Sequence, residues 1–423
     1  MRSEKKILLS CFYFSPFRGG EAAVGWRYAI GLAEYFDVTV IYGDLADSEP
    51  MRSDIERYLL ENNLPEGLTA VHVKPPPFAR FIHRLHVLPG CWFLYYQAYR
   101  AWQSEAFKMA LRLNKKTQFD LAHQLTVISF REPGFLWRMG VPFVWGPISG
   151  AAAMPRAFIG SFAPKGAYRH VTRNLLNALQ IRLPSRGRRA AKSANKVWTA
   201  TKEDRDIFSR FWKQETEVMI ETGAIPKSEI TIKSLMLGRR LSLIWCGTIE
   251  DRKAPQILIN ALGNIDPAFD WELHVIGDGP DGDRCKRICE NLEISAKVTW
   301  HGWVSHSEVQ KIMSQGHVLI HSALKEGTPH VVLEAMALGM PVICHDACGM
   351  GVAVDERSGL KVEMRDPETS VAGFREAILR LWNEPGLLEK LSEGALARSR
   401  ELSWDNKVKQ VADAYHEILS VKR

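Results

Sequence analysis

The 423-residue chain predicts an α/β fold of two open, parallel-sheet, Rossmann-like units. Three observations carry this. Short apolar runs recur with helical segments between them, as parallel strands buried on both faces require. The alternation halts in a polar stretch at Pro226–Arg240 and restarts at Leu241. The length suits two or three domains, each with its own core. The bounds that follow are a first unit at 1–225, a linker at 226–240, a second unit at 241–400 and a last helix at 401–423.

Lys5–Cys11 is apolar with little alternation and opens the first sheet. The turn Phe17–Gly20 and a helix over Glu21–Tyr35 follow, then a strand at Val38–Tyr42. Asp120–Gln124, Pro142–Trp145, Lys196–Ala200 and Glu217–Glu221 complete this half. The second sheet starts at Leu241–Gly247 and continues with a helix at Pro255–Leu262. Further strands are expected at Trp271–Gly277, Lys297–His301, His317–His321 and Met340–His345. From Pro367 onward the pattern is helical. The basic, apolar start reads as the first strand rather than a secretory leader, because no small-residue cleavage site follows it. No apolar run reaches the roughly 18 residues of a membrane span.

Hydrophobic residues at 46% and charged residues at 24% exclude disordered and fibrous classes. Seven scattered cysteines form no disulfide framework and suit a reducing cytoplasm. The cluster Cys344, His345, Asp346 and Cys348 matches no zinc spacing. Asp204–Asp206 and Asp281–Asp283 read as acids at helix starts, so no metal site is expected. Residues 1–200 hold 27 Lys and Arg against 14 Asp and Glu, while the remainder holds 28 against 34. The excess peaks at Arg156–Lys202, with eleven cations and no acid. Aromatics across Phe78–Trp102 interleave with Arg80, Arg84 and Arg100. Together these predict a first unit resting on an anionic membrane surface, peripherally on the inner face. No nucleic-acid module is present, so nucleic acid is not an expected partner.

The most informative stretch is His321–Gly339, a strand end, a polar turn and a helix. Thr328 is placed to cap the helix and Pro329 to begin it. Gly327 lets a ligand approach the backbone, and the free amides at the helix start suit a phosphate. Glu334 sits in an almost wholly apolar helix, so it needs a partner; His330 lies one turn back on the same face. A carboxylate there can take two ribose hydroxyls. Glu326, ahead of the turn, would repel a bare phosphate and so suits a neutral polyol. Hexose, diphosphate and ribose follow one another in a sugar nucleotide, which is the expected ligand. The loop Gly247–Lys253 adds two adjacent cations, Arg252 and Lys253, suited to a leaving diphosphate.

The pattern Glu326, Gly327, Val331, Leu333, Glu334, Ala335, Ala337, Gly339, Pro341 and Val342 resembles the signature of the retaining glycosyltransferases of family four. The resemblance is strongest from Leu241 to Leu360 and weaker from Asp44 to Phe119. It implies the GT-B architecture, two sheets facing across a cleft, with a final helix from Ser403-Trp404 crossing back to the first domain. It implies that Glu326 binds donor-sugar hydroxyls, Glu334 the ribose, and that the turn of Gly327, Thr328, Pro329, His330 and Val331 surrounds the diphosphate with those backbone amides that carry a hydrogen. Lys253 matches the family's diphosphate lysine, whereas the usual arginine is Thr248 here, so Arg252 is the candidate replacement. Gly19 and Gly20 resemble the family's Gly-rich loop, and His123 a histidine that contacts the donor sugar. Trp145–Gly150 is placed at the acceptor side.

The resulting expectation is metal-independent, retaining hexosyl transfer from a UDP- or GDP-sugar, UDP favoured, to an acceptor hydroxyl. The acceptor is expected to be a saccharide or lipid-linked saccharide of cell-surface polysaccharide synthesis. No cofactor beyond the donor is expected. Two alternatives stand: a GT-B sugar-nucleotide epimerase, and a degenerate nucleotide-binding scaffold at the membrane.

Overall fold

Apolar runs of the expected kind do form two parallel sheets. The computed structural model describes residues 2–421 apart from 89, 92, 228–230 and 236–239. Trp92 of the aromatic run, and Gly238 and Arg239 of the expected linker, lie outside the described residues. The first sheet contains β1 (Lys6–Ser10), β2 (Asp37–Gly43), β3 (Leu68–Val73), β4 (Leu121–Gln124), β5 (Phe143–Ile148), β6 (Lys196–Thr199) and β7 (Glu217–Val218), ordered β3-β2-β1-β4-β5-β6-β7. The second contains β8 (Leu241–Cys246), β9 (Trp271–Ile276), β10 (Val298–Gly302), β11 (Val318–His321), β12 (Val342–His345) and β13 (Gly359–Val362), ordered β10-β9-β8-β11-β12-β13. Strand order reverses beside β1 and beside β8, and such switch points open a crevice at the strand carboxyl ends. Tyr13, Gly327 and Arg252, all just past strand or loop ends, line one shared cleft between the two sheets.

Several local expectations are corrected. β3 and β13 were not expected, and Glu217–Glu221 pairs only over Glu217–Val218. Beyond Val218 the chain leaves the sheet to cross between domains, and Ala224 bridges to Ser403. β5 runs on to Ile148, so most of Trp145–Gly150 is strand and only Ser149 and Gly150 reach the cleft. The aromatic run divides between helices at Pro77–Leu85 and Leu94–Thr117. Tyr99 and Trp102 are fully buried, and Arg80, Arg84 and Arg100 pair with Glu49, Asp47 and Glu132.

The last helix, Trp404–Ser420, completes the first domain's core. Ser403 caps it, accepting from the amide of Asn406 at 3.3 Å. It lies on the helix Glu21–Ala33, where a Cβ at Gly31 would come 2.6 Å from Val408. Trp404 meets Tyr28 edge-on at 5.3 Å, and Tyr415 is buried beside Phe36.

Candidate active site

Glu326 is the centre of the cleft's charge. It follows β11, whose end is fixed by the Ser322 hydroxyl donating to the Lys253 carbonyl at 3.0 Å. The Trp245 indole donates in turn to Ser322 at 3.1 Å, so the ends of β8 and β11 are tied together. This brings Lys253 Nζ onto Glu326 Oε2, with Arg252 Nη1 3.1 Å from the same oxygen. Arg252 also pairs with Glu250 at 2.7 Å. Burial pushes the Glu326 carboxyl up, but Lys253, Arg252 and His321 outweigh it and hold it below its usual range. Beneath this group, burial lowers His321 to about 3, helped by repulsion from Lys253. Its Nε2 is buried with no hydrogen-bond partner among the described residues. Sequence reasoning gave His321 no role; its signal was a polar residue ending a buried strand.

The turn after Glu326 differs from expectation in two details. The helix spans His330–Ala337, so Pro329 flanks it rather than beginning it. Thr328 does not cap: its hydroxyl donates to the buried Glu221, on the segment that crosses between the domains. The amide of His330 turns back to the Thr328 carbonyl at 3.0 Å. The amides of Gly327, Thr328 and Val331 take no acceptor among the described residues. Gly327 packs closely on the opposite domain, since a Cβ there would come 3.0 Å from Ser149 Oγ.

Glu334 finds a partner, but it is Gln310 at 3.4 Å and not His330. Burial raises the carboxyl despite nearby His306 and Lys227. Gly247 packs against the Lys253 stem, whose Cε would lie 3.8 Å from a Cβ there. Thr248 carries no charge, and Arg252 stands at the site, committed to Glu250 and Glu326.

His123 is corrected to a structural post. It is fully buried, with Nδ1 2.5 Å from the Tyr415 hydroxyl and Nε2 2.7 Å from the Gly146 carbonyl. Both ring nitrogens are taken, and burial lowers it to about 4, so it stays neutral. Gly19 and Gly20 are exposed ahead of the helix Glu21–Ala33, and Glu21 is the residue of that turn that reaches the cleft. Burial raises Glu21 to about 7 and Glu221 to about 8, the latter also through repulsion by Glu21. In the group Cys344, His345, Asp346 and Cys348, His345 bonds Ala323 and Ser370 at 3.0 Å each, and Asp346 pairs with Lys361.

The domains are latched around the cleft. Arg169 holds both oxygens of Asp251 at 2.9 Å, and His170 Nε2 stands 3.1 Å from that carboxylate. Glu203 of the first domain accepts from the Cys348 amide at 2.9 Å. The open cleft between the domains has a volume of about 360 Å³.

Two facing parallel-sheet domains, a crossing last helix and a charged cleft between them define a GT-B protein. Solved structures agree over nearly the full length. The lipopolysaccharide outer core galactosyltransferase WaaB, in its apo form, superposes with a TM-score of 0.63 at 15% identity, covering 97% of this chain and 99% of that one. The Anabaena protein HepE in complex with UDP-glucose gives 0.60 at 13% identity, covering 97% and 99%. Residues 228–398 match the model of the glycosyl transferases group 1. The lipopolysaccharide 1,6-galactosyltransferase of Escherichia coli is 31% identical over 164 residues, 38% of this chain and 45% of that one. The chain spans half or less of the length of the first curated relatives it matches.

Proposed function

We propose that the protein transfers a hexosyl unit from a nucleotide sugar, a UDP-sugar by preference, to a hydroxyl of a saccharide acceptor in cell-surface polysaccharide synthesis. The observation that carries it is Glu326 clasped by Lys253 and Arg252 beside a turn with unused amides. On donor entry the diphosphate takes Lys253 and the amides of Gly327, Thr328 and Val331, which releases Glu326 to grip sugar hydroxyls. Glu334 takes the ribose. As the glycosidic bond breaks, negative charge grows on the diphosphate oxygen, where fixed donors in a closed cleft stabilise it most. The acceptor oxygen attacks from the same face and its proton passes to that leaving oxygen, so configuration is retained without a metal. WaaB and the Escherichia coli relative are named for lipopolysaccharide, and HepE holds UDP-glucose, which supports the donor and the context. None of the three is named an epimerase.

A thermal-shift screen against UDP, GDP, ADP and their sugars tests the donor. The expected result is stabilisation by UDP and its sugars above the others; no response to any nucleotide refutes the reading. Anomeric NMR of the product, with and without EDTA, tests retention and metal independence.

The protein is further proposed to act peripherally on an anionic inner membrane face. The helix Pro164–Arg182 exposes Tyr168 (76%), Leu175 (64%) and Leu179 (55%) on one stripe. Lys165, Arg169, Arg173 and Arg182 lie along the same helix. No helix among the described residues is long and apolar enough to cross a membrane. Flotation with phosphatidylglycerol vesicles should capture the wild type and lose Leu175→Glu/Leu179→Glu; equal capture of both overturns the assignment.

A further inference from the structure

The chain changes domain at one peptide bond. Met219 packs in the first domain's core and Ile220 in the second's. The next residue, Glu221, is buried at that changeover. The segment around it is strapped to the start of the last helix. The Ala224 amide donates to the Leu402 carbonyl at 2.8 Å, and the Trp404 amide to the Ala224 carbonyl at 3.1 Å. Buried Lys407 gives its ammonium to the Ile220 carbonyl at 2.6 Å. A Cβ at Gly223 would come 2.9 Å from the Trp404 ring. Glu221 therefore stands on a fixed base.

From that base it reaches the turn after Glu326. Glu221 Oε2 accepts from the Thr328 hydroxyl. No other side-chain hydrogen bond leaves residues 327–331 among the described residues. On its far side the turn is held by backbone, the Gly349 amide donating to the Glu326 carbonyl at 2.8 Å. Glu221 Oε1 is buried with no hydrogen-bond partner, and no cation forms an ion pair with the carboxyl, among the described residues. The charged groups that face it are Glu21 on the first helix, Lys407 on the last helix and Glu326 ahead of the turn. An unpaired carboxylate in such a place is costly. Burial accordingly raises the group to about 8, with repulsion from Glu21 and Glu326 adding to it. A neutral acid behind the turn leaves its free amides attractive to an anion, whereas a carboxylate would oppose one.

We propose that Glu221 is a positioning residue of the transfer reaction: through Thr328 it ties the diphosphate turn to the segment on which the two domains meet. This deepens the transferase reading and rests on it for the reaction, while the tie itself stands on geometry. Glu221 acts on the donor only through Thr328. The amides that receive the diphosphate stabilise it most when the turn is held still, and misplacing a group by about 1 Å can cost on the order of 10²-fold in rate.

The test uses the full chain and two readouts: UDP affinity by calorimetry, and hydrogen exchange of the amides in residues 327–331 without nucleotide. Glu221→Leu should weaken UDP binding about fivefold or more and speed exchange of those amides about tenfold. Thr328→Val, at a partly exposed position, removes the same bond and should reproduce both effects even if Glu221→Leu folds poorly. Glu221→Gln keeps an uncharged acceptor of the same shape, and Thr328→Ser keeps the hydroxyl; both should stay within about twofold of wild type. Undiminished UDP binding in Thr328→Val overturns the inference. So does weaker UDP binding with unaltered exchange in the turn, or a Glu221→Gln variant as impaired as Glu221→Leu. If wild type does not bind UDP, the donor reading falls, and the exchange readout still decides the tie: faster exchange in Thr328→Val with rescue by Thr328→Ser upholds it, and unchanged exchange refutes it.

Discussion

Replacing Lys253 with alanine should remove catalysis while leaving the protein folded. Lys253 and Glu326 are each 13% exposed, so their contact is nearly dry. Breaking a buried pair by deleting one partner costs about 3–5 kcal/mol when the other charge is stranded. Glu326 is not stranded, because Arg252 remains 3.1 Å from the same oxygen. The folding penalty should therefore fall below that range. The larger effect is on the reaction. Removing one fixed donor to a developing oxyanion costs about 10²–10³ in rate, or about 2.7–4 kcal/mol. Because charge on the diphosphate oxygen grows along the reaction, kcat should fall more than KM for the donor rises. UDP release by slow donor hydrolysis needs no acceptor and measures this directly. A variant with kcat within threefold of wild type, or one in which only KM changes, refutes the assignment of Lys253 to the leaving group.

Further outcomes follow from the other buried groups. His123→Phe should lower stability by about 1–3 kcal/mol through the orphaned Tyr415 hydroxyl and Gly146 carbonyl, with the UDP-induced thermal shift unchanged; a selective loss of UDP binding would restore the histidine to the site. His123 is held at about 4 when folded, below its unfolded value, so its stabilising contribution is present above about pH 6.5 and is lost as pH falls toward 4; the same variant should flatten chemical denaturation across that window. Glu221 is raised to about 8, so the native state keeps a proton that the unfolded chain releases, and stability should decline as pH climbs from the ordinary carboxylate range toward 8. Glu221→Gln should remove that decline, about 1.4 kcal/mol per pH unit for one proton; an unchanged slope would show that Glu221 is ionised in the fold. Gly31→Leu drives side-chain atoms into Val408 and should release the last helix, read as accelerated proteolysis after residue 403; unchanged cleavage would show that the contact yields cheaply.

Much of this molecule was legible in advance where one physical signal dominated. The strands at Lys6–Ser10, Leu241–Cys246 and Val318–His321 are continuous apolar runs, and such runs have few alternatives in a two-faced parallel sheet. β3, LTAVHV, and β13, GLKV, are partly exposed and mix polar with apolar residues, so pattern alone did not mark them. Glu326 and Lys253 were singled out by the signature pattern and the resemblance it carries, and the fold brings their side chains into contact. His123 misled because a polar residue at a strand end looks the same whether it faces a ligand or a distant helix. Its partner Tyr415 lies 292 residues away, a distance no local pattern spans. For the same reason Gln310 and Glu221 were missed: each meets the signature segment only through tertiary packing.

The crossing of the Trp404–Ser420 helix imposes an order on how the protein is made. Val408, Val411, Ala412 and Tyr415 supply part of the first domain's interior. A nascent chain leaving the ribosome therefore exposes an unfinished apolar groove on its earliest domain throughout synthesis of the second. The first domain's groove is sealed only once Trp404–Ser420 has been made and has folded back onto it.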